Sequence, residues 1–77
     1  MRSLLSVPVG STARLGNILL QESLKNRLTD LGLTAGCPIR CLYAAPCGDP
    51  RAYWVRGTVI AIRNCDAKGI EVYEIWD

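Results

Sequence analysis

The stretch Leu20-Gln-Glu-Ser-Leu-Lys-Asn-Arg-Leu-Thr-Asp-Leu-Gly-Leu-Thr-Ala-Gly36, continued by Cys37-Pro-Ile-Arg-Cys-Leu-Tyr43, changes its hydrophobic period halfway. Leu20, Leu24, Leu28 and Leu31 recur at i, i+4, i+8 and i+11, the spacing that lines one face of an α-helix. Glu22, Lys25, Asn26 and Thr29 point away from that face. The spacing predicts a helix over about Gln21–Leu31 whose leucine stripe packs into the core. Gly32 closes it, because glycine adopts the left-handed conformation of a helix end without strain. Beyond the turn Leu33–Gly36 the period drops to two, with Ile39 and Cys41 on one side and Arg40 on the other, which is a strand. Arg27 flanks the leucine stripe, free to close over its edge or to reach a partner.

Reading outward, Pro8–Ser11 is an entry turn, and Thr12–Ile18 is a first strand with Ala13 and Leu15 inward and Gly16 at a bulge. On the far side, Ala44–Pro50 is a loop stiffened by two prolines. Ala52–Arg56 and Thr58–Arg63 are strands around Gly57, Asn64–Gly69 is a polar turn, and Ile70–Ile75 is the last strand. The chain is therefore mainly β. Five short strands with one helix inserted after the first fit a small closed or nearly closed barrel. At 77 residues, 49% of them hydrophobic and 21% charged, the chain forms a single domain over 1–77 and is not disordered.

Composition removes whole classes of chemistry. There is no histidine, so no Ser-His-Asp triad, Cys-His dyad or imidazole metal ligand exists. Glu71 and Glu74 have an odd spacing that puts them on opposite sides of a regular strand, and no Walker-type Gly-Lys-Ser/Thr loop is present. An enzyme is not expected, and no cofactor is implied. Nine Lys and Arg against seven Asp and Glu give only +2, scattered along the chain, which argues against a dedicated nucleic-acid binder. No apolar run reaches the length of a membrane span and no signal-like segment opens the chain, so a cytoplasmic protein without direct membrane insertion is expected.

The four cysteines form no Cys-x-x-Cys pair. On a strand, at about 3.3 Å per residue, Cys37 and Cys41 sit roughly 13 Å apart, too far for a disulfide or for one tetrahedral metal. Cys47 and Cys65 are left as candidate thiols for a metal or redox role, against the commoner outcome of reduced, packing thiols. Among the aromatics, Tyr53 and Trp54 are neighbours on a strand, so one of them faces outward as a candidate contact residue.

In sequence order, several segments match one family. Arg27-Leu28-Thr-Asp-Leu31-Gly32-Leu33-Thr-Ala-Gly36 resembles the RL-x-x-LG-L-x-x-G helix exit of the FeoA family. Ala45-Pro46-Cys-Gly48-Asp49-Pro50 is similar to its AP-x-G-D-P loop. Val55-Arg56-Gly57 with Ile60-Ala61-Ile62-Arg63 resembles its strand pair, and Ala67, Ile70 and Val72 fit its closing A-x-x-I-x-V. The resemblance implies a bacterial SH3-like barrel with a helical insertion. It also implies an accessory or regulatory role in ferrous iron uptake, by protein–protein contact with the cytoplasmic part of the FeoB-type membrane transporter. The expected contact surface combines the exposed side of the helix near Arg27 with the Ala45–Pro50 loop, tested at Arg27 and Asp49, and Trp54 is a separate candidate contact residue as the outward-facing aromatic. The alternative is an SH3-like regulatory or nucleic-acid-associated domain related to the C-terminal domain of iron-dependent repressors, and self-association into a homo-oligomer stays open.

Overall fold

The helix exit shows how closely local chemistry dictates backbone here. In the computed structural model, which describes residues 2–76, helix α1 spans Glu22–Asp30 with Leu31 as its C-cap. Gly32 follows at φ +111°. Its N–H donates to the Thr29 carbonyl at 3.0 Å, and the Leu33 N–H donates to the Leu28 carbonyl at 3.0 Å. These two bonds form a Schellman closure, and buried Leu28 and Leu33 supply the apolar contact that accompanies it.

The strands are β1 (Arg2–Ser3), β2 (Thr12–Ile18), β3 (Pro38–Ala44), β4 (Arg51–Val55), β5 (Thr58–Ile62) and β6 (Ile70–Trp76). They form one antiparallel six-stranded sheet in the order β1-β6-β2-β3-β4-β5. The sheet curls around a core that includes Leu15, Ile39, Tyr53, Val55, Ile70 and Val72, each fully buried. β4 and β5 are joined by Arg56-Gly57, both at positive φ (50° and 82°). That is a two-residue type I′ turn, whose twist matches that of the strands it links. The bulge expected at Gly16 is present, since the β2–β6 register shifts between Leu15 and Ile18. A second shift falls between Thr12 and Arg14, opposite Glu74, which sits at φ +58° and pairs with Arg14 at 3.2 Å.

Three readings are corrected. The sheet has six strands, because Arg2–Ser3 pairs with Val72 and Glu71 of β6. A 3-10 turn at Leu4–Ser6 follows, with Leu4 fully buried. The first ten residues carry no long hydrophobic pattern, so their place in the core was not visible locally. The stretch read as a polar turn contains helix α2 (Asn64–Ala67), with Ala67 buried. Finally, the leucine stripe is narrower than expected. Leu28 is buried, Leu20 and Leu24 pack partly against the core, and Leu31 is 44% exposed.

Candidate docking site

Because β5 ends the sheet order, one of its sides has no strand partner among the described residues. Helix α1 lies across from it without closing the gap, leaving a groove of about 250 Å³. Its floor comes from Leu24 and Leu28 of α1, from the C-cap Leu31 and from Ile60–Ile62 of β5. Arg27 and Arg63 line it as well, with Asp66 of α2. Both arginines are exposed, and neither guanidinium has an ion-pair or hydrogen-bond partner among the described residues. An apolar floor with unpaired guanidiniums matches a partner segment that is partly apolar and partly anionic.

The Ala45–Pro50 loop is held against the same end of the molecule. Its ends meet through the Ala45 N–H and Pro50 carbonyl at 3.0 Å, and Gly48 turns at φ +90°. The Asn64 N–H donates to Asp49 Oδ1 at 2.9 Å, and Asn64 Nδ2 donates to the Gly48 carbonyl at 3.0 Å. Asp49 thus satisfies an amide that the start of α2 leaves free, as a side-chain cap does. Asn64 adjoins Arg63 of the groove, whereas Asp49 is not itself among the residues that line it.

Trp54 does not line the groove either. It lies on the outer face of β4, 43% exposed. The strand register places it in a row across the sheet, Trp76–Thr12–Arg40–Trp54–Val59. Arg14 stacks over Trp76 at 5.7 Å. As expected from their adjacency, Tyr53 faces in and Trp54 out. Cys37 and Cys41 are buried, whereas Cys47 and Cys65 are exposed on the loop and on α2. The Cys47 thiol donates to the Asp49 carbonyl at 3.0 Å. Among the described residues no group of three or more His, Cys, Asp or Glu is placed to hold a metal ion.

Arg51 is the residue that sequence reasoning missed. It is 8% exposed. Its guanidinium donates to the Leu5 carbonyl at 2.8 Å, to the Val7 carbonyl, and to Cys41 Sγ at 3.0 Å. It also lies over the Tyr53 ring at 5.8 Å. A buried cation is thereby satisfied by backbone carbonyls instead of a carboxylate, a network spanning 46 residues of sequence that no local pattern announces. Tyr53 places its hydroxyl in the interior with no hydrogen-bond partner among the described residues, and burial pushes its pKa up to about 12.

The sheet, the inserted helix and the open groove define a class, the small antiparallel β-modules with an SH3-like fold and a helical insertion. Within it, the FeoA domain model matches residues 2–74. The chain belongs to the FeoA family, which is implicated in ferrous iron transport. The solution structure of a FeoA protein from Chlorobium tepidum superposes with a TM-score of 0.89 at 31% identity, covering 92% of this chain and 68% of that one. A FeoA-like protein from Clostridium acetobutylicum gives 0.82 at 29% identity, covering 94% and 84%. A zinc-complexed FeoA from Stenotrophomonas maltophilia, described as a prokaryotic SH3 domain protein, gives 0.79 at 25% identity, covering 95% and 91%. A manganese-dependent transcriptional repressor shares the fold at 15% identity. No curated protein sequence matches the chain. Among the described residues no helix is long and apolar enough to cross a membrane.

Proposed function

We propose that this protein is an accessory component of bacterial ferrous iron uptake, working in the cytoplasm without catalysis of its own by docking onto the cytoplasmic part of a FeoB-type transporter. Family membership supports the pathway, and the Stenotrophomonas relative is described as a candidate activating factor of ferrous iron transport. The observation that carries the docking reading is the groove between α1 and β5 with its unpaired Arg27 and Arg63. A standard interface takes about 800 Å² from each partner. The proposed surface combines the groove with the Ala45–Pro50 loop, supported by the bonds from Asn64, next to Arg63, to Asp49 and Gly48; the loop's two prolines limit the entropy lost on binding.

The test is a binding titration of the purified protein against the cytoplasmic domains, and then the full-length transporter, from the same organism. Arg27→Glu is expected to weaken binding at least about tenfold, as charge reversal at an interface does. Asp49→Asn keeps an oxygen to cap α2, so it tests the carboxylate charge without loosening the loop. Absence of binding to the full-length transporter, with nucleotide and without it, overturns the docking reading. Binding that survives both substitutions moves the surface elsewhere.

A further inference from the structure

The edge of β5 has a chemistry more specific than an apolar groove. In a two-residue hairpin the residues flanking the turn exchange both backbone bonds, and hydrogen-bonded pairs then alternate along the strands. The register Val55↔Thr58, Tyr53↔Ile60 and Arg51↔Ile62 therefore uses the backbone groups of Thr58, Ile60 and Ile62 against β4. Val59 and Ala61 consequently turn their N–H and C=O groups to the open side. Unpaired strand edges are sites where another chain adds, and they are normally shortened, bulged or covered. Here the register is regular along all of β5. Its neighbour across the gap is the exposed Leu31 and half-exposed Leu24.

We infer that β5 accepts an extended segment of a partner, added to the sheet as a further strand, with apolar side chains against Leu24 and Leu31 and carboxylates against Arg27 and Arg63. Backbone bonds to Val59 and Ala61 supply the register, and the pocket and charges supply the selection. The charges also select against a second copy of this chain. Two β5 edges brought together would place the arginines of both copies, including Arg56 at the turn, along one seam, and like charges across a strand pair are unfavourable. Asp66 is the groove's one lining carboxylate, against two guanidiniums. Carboxylates opposite those guanidiniums form charge-assisted and bidentate bonds. Strand addition rests on the docking reading for the existence of a natural partner, while the acceptor edge is a property of this chain alone.

The experiment uses the full chain, labelled for amide hydrogen exchange by NMR. The probes are a short blocked peptide alternating valine with glutamate and its valine–lysine counterpart. In the free protein the Val59 and Ala61 amides exchange fast, while those of Thr58, Ile60 and Ile62 are protected. The glutamate peptide is expected to protect Val59 and Ala61 and to bind at least about tenfold more tightly than the lysine peptide, a difference that shrinks with added salt. Ala61→Pro deletes an amide that faces the open edge, a position where a strand tolerates proline, and is expected to abolish peptide binding while the remaining amide spectrum stays native. Strand addition is overturned if neither peptide protects Val59 and Ala61, or if both peptides bind equally. It is also overturned if protection appears in the protein alone and rises with its own concentration, which identifies a second copy as the occupant. Peptide protection without transporter binding refutes only the docking reading. Transporter binding without protection of these two amides refutes only strand addition.

Discussion

Tyr53 carries a hydroxyl where its ring alone is wanted. The ring fills the barrel interior and meets the Arg51 guanidinium, but the oxygen is buried without a hydrogen-bond partner among the described residues. An unsatisfied buried polar group costs about 1–3 kcal/mol. Tyr53→Phe is therefore expected to raise the unfolding free energy at neutral pH by about 1 kcal/mol, allowing for imperfect repacking. Burial also raises the folded-state pKa from 10.0 to about 12. The unfolded chain then loses the phenolic proton first, so the cost of the hydroxyl is constant below pH 10 and grows as the pH rises from 10 towards 12. Urea unfolding across that window should show the gap between Tyr53→Phe and the natural protein widening with pH. A constant gap means that the hydroxyl titrates alike in the folded and unfolded states and is therefore reached by water. That one of Tyr53 and Trp54 faces inward was legible from strand alternation, but which one was not, because the choice depends on which face of β4 the core lies against.

At the scale of elements, α1 and the β4–β5 hairpin were legible because each carries its own instructions. The helix has a period and a glycine closure, and the hairpin has a glycine at a turn between two apolar runs. Helix α2 was not legible. It has only four residues, Asn64–Ala67, in a polar stretch, and its first free amide is satisfied by Asp49, 15 residues earlier in the chain. The leucine stripe separates by depth in a way that periodicity cannot see. Leu28→Ala is expected to cost about 2–5 kcal/mol, the range for a buried leucine. Leu31→Ala, at a 44% exposed position, should stay within about 0.5 kcal/mol in the same unfolding assay. Equal costs would place Leu31 in the core and close the groove. Unequal costs keep Leu31 available for a partner.

For the whole molecule, Arg51 is the tie between the first residues and the barrel. Its guanidinium holds the carbonyls of Leu5 and Val7 while Leu4 and Val7 fill the core beneath. Arg51→Lys is expected to cost about 1–3 kcal/mol although the charge remains, because one ammonium cannot span the acceptors that a planar guanidinium bonds together. Amide exchange at the backbone groups of residues 4–7 should rise more than exchange in β3 and β4. A uniform rise would mean that Arg51 supports the barrel as a whole and does not pin its N-terminal segment.

Hydrophobic period, glycine placement and missing histidine are local properties, so the sequence alone determined a small, mainly β domain with one inserted helix and no histidine-based chemistry. The motif order determined its resemblance to a family. Only the tertiary structure decided that Arg2–Ser3 is a strand, that Arg51 is buried, that Asp49 serves α2, and that Arg27 and Arg63 face one groove while Trp54 lies elsewhere. Each of these is a contact between segments distant in sequence. Such contacts follow from how the sheet curls and which strand is left at its edge, and no window of neighbouring residues encodes that choice.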